Sequence, residues 1–255
     1  MSSSIVSPKG TSSGASSSPT FSPLYRQIKS LLLQRLESGE WGPGEAIPSE
    51  SELATRFSVS QGTVRKAIDE MAAENLLIRR QGKGTFVASH DDPRAFFRFL
   101  RLVPLAGGIE QSQSIPLECW RAKAGTEVAR MLELSVGDPI TILRRVLQFA
   151  GKPVVVDEIY LPGSIFGTIT LEMLRDYQGS LYSFFENQFG IRMTRAEERL
   201  RAVPAERASA ELLNVAEGSP LLSVERVSFS YGDKPVEWRR GLYLTSDHCY
   251  FNKLG

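Results

Sequence analysis

The stretch "SESELATRFSVSQGTVRKAIDEM", Ser49 to Met71, sets two short helical patterns almost back to back. Leu53, Ala54 and Phe57 face one way in the first, and Val64, Ala67, Ile68 and Met71 share a face in the second. "SVS" between them is too short for anything but a tight turn. Ser49 followed by Glu52 has the form of a capping box, and Ser60 stands at the N-cap of the second helix. Upstream, Leu24, Ile28, Leu31, Leu32 and Leu36 recur at helical spacing up to Gly39, and "WGPGEAIPS" reads as a turn-rich connector. Downstream, Asn75 is placed as a left-handed stop, and "LLIRRQGKGTFVAS" reads as two short strands around a Gly-Lys-Gly tip. Helix, helix, turn, helix, hairpin over residues 21–88 is the order of a winged helix-turn-helix.

The second helix of the pair opens on small hydrogen-bonding residues and carries its cations one turn in. A recognition helix enters the major groove with its N-terminal end, where bulk would hold the backbone away from DNA. Ser60 and Thr63 can reach phosphates beside the exposed helix amides, and Gly62 permits close approach. Gln61 could pair with an adenine edge, Arg65 is placed for a guanine edge or a phosphate, and Lys66 for a phosphate. At the wing tip, Gln81, Gly82 and Lys83 come near the backbone or the minor groove. The competing reading makes Arg65 and Lys66 the solvated face of a surface helix. Between Arg56 and Phe86, however, the acids Asp69, Glu70 and Glu74 all sit toward the rear of the helix, away from Arg65, Lys66 and the wing cations. That segregation favours DNA.

Formal net charge is only +1 over 255 residues, so attraction to an anionic partner must come from how charge is distributed. Cys119 and Cys249 form no CxxC pair, and apolar runs are too short to span a bilayer. Residues 1–20, rich in Ser, Pro and Gly, lack the apolar stretch of a signal peptide and read as a disordered tail. Residues 89–94 read as a linker, with a strand expected around Phe97 to Leu102 at the start of a second domain, 95–255. His90 in "SHDDP" reads as a solvated linker residue, Phe96, Phe97 and Phe99 as packing, and "DHCYF" as the end of a strand. No glycine-rich phosphate loop, zinc spacing or nucleophile elbow occurs, so no catalytic residue, metal site or cofactor is expected.

The second domain carries an internal duplication. "ARMLELSVGDPITILRRVLQFAGKPVVVDEIYL" and "AELLNVAEGSPLLSVERVSFSYGDKPVEWRRGLYL" each read as a short helix, a Gly-x-Pro turn, a strand ending in Arg-Val, a Lys-Pro turn and a second strand. Pro139 and Pro220 precede Arg145 and Arg226 by the same distance, and the two hairpin turns differ by one residue. Two such halves would pair their hairpins into one antiparallel sheet with helices on one side. "LEMLRDYQGSLYSFFENQFG" between them reads as one or two helices. The expected class is α+β.

"IPSESELATRFSVSQGTVRKAIDEMAAENLLIRRQGKGTFV" resembles the DNA-binding domain of GntR-family bacterial transcription regulators in its Pro-Ser-Glu start, Val-Ser turn, Thr-Val-Arg and Gly-x-Gly-Thr-Phe-Val wing. The resemblance implies DNA contacts at Glu50, Ser51, Ser60, Gln61, Thr63, Arg65, Gln81 and Gly82. Many members carry an arginine where this chain has Gln61. "RRVLQFAGKPVVVDEIYLP", "SLYSFFENQFGIRMTRAEERLRAVPA" and "LLNVAEGSPLLSVERVSFSYGDKPVEW" resemble the UTRA effector-binding domain of the HutC-type branch, over roughly residues 95–250. That resemblance implies an α+β fold similar to chorismate lyase and a pocket for a small metabolite that changes DNA affinity. Pocket residues are expected around Arg145, Glu158, Tyr160, Arg226 and Tyr243. Members binding phosphorylated sugars often carry Arg-x-Arg in the first strand, where this chain has Arg145 and then Leu147. Arg145 suits a carboxylate or phosphate, and Glu158 a hydroxyl, amine or guanidino group; the competing reading pairs the two with each other across the hairpin, and both can hold in an empty pocket.

The expected protein is a cytoplasmic, homodimeric, effector-controlled regulator of operator DNA, most often a repressor in this family, with no membrane role. Retained chorismate-lyase-like chemistry and a constitutive architectural DNA binder are the alternatives.

Overall fold

A computed structural model describes residues 22–92, 99–108 and 110–252. The tail 1–20, the end of the 89–94 linker, Phe96 and Phe97 lie outside the described residues.

The N-terminal unit is built from three helices, α1 (Leu24–Glu37), α2 (Glu50–Phe57) and α3 (Gln61–Ala73), followed by the hairpin β1 (Leu77–Arg80) and β2 (Gly84–Val87). Ile28, Leu32 and Leu36 of α1, Leu53 of α2 and Val64, Ile68 and Met71 of α3 form one core. The Ser49–Glu52 capping box is complete in both directions, and Ser60 Oγ accepts from the Thr63 amide. Ser58 and Asn75, at φ 53° and 56°, make the left-handed stops after α2 and α3. A bridge between Ala46 and Phe86 ties the connector to the wing.

The C-terminal unit is a six-stranded antiparallel sheet of β4 (Ser112–Lys123), β5 (Pro139–Phe149), β6 (Lys152–Pro162), β7 (Arg195–Pro204), β8 (Pro220–Phe229) and β9 (Pro235–Tyr243), in the order β4-β5-β6-β9-β8-β7. That order is symmetric about the β6–β9 junction. Each half is strand, helix, hairpin: α4 (Thr126–Leu132) follows β4, and α8 (Arg207–Leu213) follows β7. Sequence reading had each half without its first strand, because β4 and β7 are edge strands whose exposed residues blur the alternation. The halves repeat in detail: α4 and α8 end on Glu133 and Asn214 at φ 53° and 54°, and the next turns hold Gly137 and Gly218 at φ 93° and 84°.

Helices cover both faces of the sheet, not one. On one face α4 and α8 bury Ile140, Ile142, Val146, Val156, Val227 and Trp238. On the other, α5 (Gly163–Phe166), α6 (Leu171–Asp176) and α7 (Leu181–Phe189) pack on Leu143, Ile159 and Leu161. A helix-on-one-side layer would have left the second apolar face of these strands in water. Of the strand expected at Phe97–Leu102, the described residues place only Leu102 in a strand: β3 (Leu102–Pro104) pairs with β10 (His248–Tyr250), while Phe99 is helical.

Strand register decides which arginines are buried. Arg145 lies opposite Asp157 and Arg144 opposite Glu158. Arg145 therefore pairs with Asp157, at 2.8 Å and 2.9 Å, and not with Glu158. Across the β6–β9 junction, Arg239 Nη1 donates to Asp157 Oδ2 at 3.3 Å and Nη2 to Glu237 Oε2 at 2.9 Å. The duplication carries Arg145 onto Arg226, and, lengthened by the extra turn residue, carries Asp157 onto Arg239. Equivalent positions of the two halves thus meet as acid and base.

Two predictions follow from this junction. Burial would raise the Asp157 carboxyl, but Arg239 and Arg145 outweigh it and hold it below the usual carboxylate range. A depressed folded value means stability present above the unfolded pKa of about 4 and lost as pH falls through the folded value. Asp157→Asn should cost about 3–5 kcal/mol in urea unfolding near pH 7, by stranding two guanidiniums, and should remove that part of the acid limb. At Gly241, a Cβ would meet Tyr243 Cε1 at 2.4 Å and Asp157 Oδ1 at 3.0 Å. Gly241→Ala should cost about 1–3 kcal/mol in the same assay.

Candidate DNA-binding face and effector cavity

Ser60, Gln61, Gly62, Arg65 and Lys66 of α3 are exposed, with Thr63 half-buried among them. Ser51 at the start of α2 and Gln81, Gly82 and Lys83 at the wing tip are also exposed. Val64, Ala67 and Ile68 are fully buried, so the buried stripe of α3 turns its opening residues outward. Gly82 and Gly84, at φ 69° and 109°, close the wing turn in a conformation that other residues resist. A Cβ on Gly62 would meet only Ser60 Oγ, at 3.9 Å, so nothing inside the protein demands glycine there.

Glu50 does more than mark a helix start. Its two oxygens hold Arg65 Nε and Arg79 Nη1, each at 2.9 Å. Burial would raise its carboxyl, but the two arginines pull it below the usual range. The acids at the rear of α3 are also occupied: Asp69 by Arg79, and Glu70 and Glu74 by Lys29 of α1. Lys66 lies 4.0 Å over the Tyr25 ring, leaning toward α1.

A cavity of about 900 Å³ lies between the sheet, α6 and α7. Arg145, Arg226 and Arg239 form its floor, Arg175 also lines it, Arg144 borders it with its guanidinium turned to Glu118 and Glu158 on the other sheet face, and no carboxylate lines it among the described residues. The floor arginines are at most 8% exposed, while Asp157 and Glu237 beneath them are fully buried. Burial lowers the Arg145 guanidinium despite Asp157, whereas Glu237 and Asp157 hold Arg239 above its ordinary value. Arg226 Nε donates to Glu198 at 2.7 Å, and its Nη2 donates to the Phe99 carbonyl. Tyr182 stands beside them, donating to Glu237 Oε1 at 2.9 Å and meeting the Phe99 ring edge-on at 4.9 Å. Leu143, Leu147, Leu174 and Leu181 supply apolar wall.

Of the residues expected here, Arg145 and Arg226 reach the cavity. Glu158 and Tyr160 do not: register puts them on the opposite sheet face, where Glu158 binds Arg144 at 2.9 Å and accepts from Tyr160. Burial and that bond push the Tyr160 phenol up to about 12. Tyr243 shares the cavity's face but is packed with Val224 and Val155 outside the lining, and burial pushes it up to about 12. His90, read as solvated, is buried against Phe99 and Tyr182 and lines the cavity, because the 89–92 segment folds back onto α7. Arg239 and Tyr182 were missed. Arg239 could have been found by aligning the two halves, since it occupies the position equivalent to Asp157.

Residues 24–87 match the family described as bacterial regulatory proteins, gntR family, and residues 110–248 match the UTRA domain. The HTH-type transcriptional regulator SmoD of Agrobacterium fabrum is 29% identical over 206 residues, covering 81% of this chain and 85% of that protein. The histidine utilization repressor of Pseudomonas putida is 29% identical over 227 residues, covering 89% and 90%. Among solved structures, the ligand-binding domain of a Bordetella bronchiseptica regulator assigned to the GntR family is 47% identical, with a TM-score of 0.61 over 62% of this chain and 98% of that one. PhnF from Mycobacterium smegmatis is 25% identical, with a TM-score of 0.53 over 89% and 99%. With a helix-turn-helix head whose α3 turns its opening residues outward and a cavity in the larger domain, the chain belongs to the GntR family of bacterial regulatory proteins, in its UTRA-containing branch, and is a DNA-binding transcriptional regulator with an effector-binding domain, not an enzyme.

Proposed function

We propose that this regulator is a cytoplasmic homodimeric repressor released from, or recruited to, its operator by an anionic small molecule. One observation carries the effector class: Arg145, Arg175, Arg226 and Arg239 and no carboxylate line the cavity on this face of the sheet among the described residues. Guanidinium groups pair with carboxylates and phosphates through charge-assisted, often bidentate bonds. The ligand's acidic group would take the Arg145, Arg226 and Arg239 floor, and its apolar part would lie against Phe99, Tyr182 and the leucine wall. Dimerisation follows from the need to place two recognition helices on half-sites about 34 Å apart. Relatives named as repressors support the sign of regulation. The DNA contacts proposed are those of α3, the α2 start and the wing tip, with Glu50 holding Arg65 ready. Domain limits at 21–88, 89–94 and 95–255 belong to the same reading. Among the described residues no helix is long and apolar enough to cross a membrane.

Fluorescence anisotropy with a duplex from upstream of the protein's own gene, against competitor DNA at two salt concentrations, tests the head. Arg65→Ala should cost roughly 1–3 kcal/mol of operator binding, and Lys83→Ala should reduce the salt slope by about one. Gly62→Ala should stabilise the helix by up to about 1 kcal/mol and weaken operator binding, since DNA, not the protein, needs the gap. For the cavity, a calorimetric screen of small carboxylates, phosphates, amines and uncharged sugars should yield an anionic ligand that shifts operator affinity. Arg145→Met should lose most of that binding, and ligands that are uniformly cationic or neutral would falsify the anionic assignment.

A further inference from the structure

Arg192, in the short loop between α7 and β7, is a bridge between the two units. It is 3% exposed. Its Nη2 donates to the Asn75 carbonyl at 2.8 Å, and its Nη1 lies 3.4 Å from the Leu76 carbonyl. Those carbonyls belong to the left-handed stop that ends the recognition helix. A cation just past the C-cap complements the negative end of the helix dipole, and the Leu76 carbonyl it approaches also accepts from the Ala88 amide of the wing at 3.1 Å. Nη1 also approaches the Tyr231 hydroxyl at 3.3 Å, and Tyr231, in the β8–β9 turn, packs against the core of the head.

The other side of Arg192 leads to the cavity. Its neighbour Met193 donates its amide to His90 Nε2 at 3.2 Å, and His90 lines the cavity against Tyr182 and Phe99. The His90 amide donates to Glu186 Oε2 at 2.6 Å, and Glu186 lies on α7, whose first turn forms the cavity wall. Burial raises the Glu186 carboxyl, and the Arg192 charge acts against that rise. A ligand that moves His90 or the start of α7 therefore acts on a segment whose next side chain grips the end of α3.

We propose that Arg192 is the positioning residue that fixes the recognition helix to the effector-cavity wall, so that energetic coupling between cavity and head passes through its bonds to Asn75 and Leu76. It touches neither DNA nor ligand. Spatial intermediacy alone does not establish coupling, so the test is a double-mutant cycle read by hydrogen exchange on the full-length chain, without ligand or operator. In Arg192→Met, amides of residues 70–77 should exchange about tenfold faster, the scale of a lost charged hydrogen bond, while amides of β5, β6, β8 and β9 keep their wild-type rates. Arg192→Lys, which retains a donor and the charge, should restore most of the protection. His90→Ala should speed exchange at 70–77 in the wild-type background and leave it unchanged in Arg192→Met. Wild-type exchange at 70–77 in Arg192→Met, or a His90→Ala effect of equal size in both backgrounds, would overturn the proposal. So would a general acceleration of the sheet amides without rescue by lysine, which marks a packing residue.

Discussion

The pairing of Asp157 with Arg145 and Arg239 is the interaction on which the larger domain depends. Asp157 sits on β6 and Arg239 on β9, the two strands where the duplicated halves meet. Two buried cations and one fully buried acid would be costly in isolation, and Glu237 completes the balance from beneath. Such a network is worth little as net stability and a great deal as a constraint, because removing one member strands the rest. Its uppermost groups are guanidiniums, so the element that locks the halves together also lines the cavity with donors.

This arrangement explains why the cavity is open where it is. Over Leu143, Ile159 and Leu161, α5 and α7 close on the sheet with aromatic packing such as Phe166 on Phe185. Over the arginines no apolar helix face can settle without burying charge against hydrocarbon. The chain bridges that region with His90, Phe99 and the first turn of α7, and leaves a space behind them. The same packing brings the 89–92 segment onto α7 and the loop after α7 onto the end of α3, so the parts of the protein that could sense a ligand and read DNA share neighbours.

Much of the head was legible in the sequence because its signals are local. Capping at Ser49 and Ser60, the stop at Asn75 and the glycine-tipped wing involve residues a few positions apart, and local hydrogen bonding decides them. The duplication was legible for a related reason: Pro139, Arg145, Pro220 and Arg226 repeat a pattern that backbone turns enforce. Glu158 and Tyr160 were misplaced because a shift of one residue in strand register moves every side chain to the opposite face. Arg144 and Arg145 are adjacent in sequence, and only pairing with β6 decides which is buried. His90 was misread because polar neighbours signal a solvated linker, whereas a distant backbone segment, at Met193, satisfies its ring.

By itself the sequence determined a winged helix-turn-helix followed by a duplicated α+β domain, and with them the family, because caps, turns and periodic apolar faces are encoded within short windows. The tertiary structure decided that helices cover both faces of the sheet and that the cavity is floored by three arginines over buried acids. It also decided that Arg192 reaches from one unit to the other. Each of these joins residues far apart in the chain, and their cost and benefit arise only when burial removes water from charges that look ordinary in the sequence.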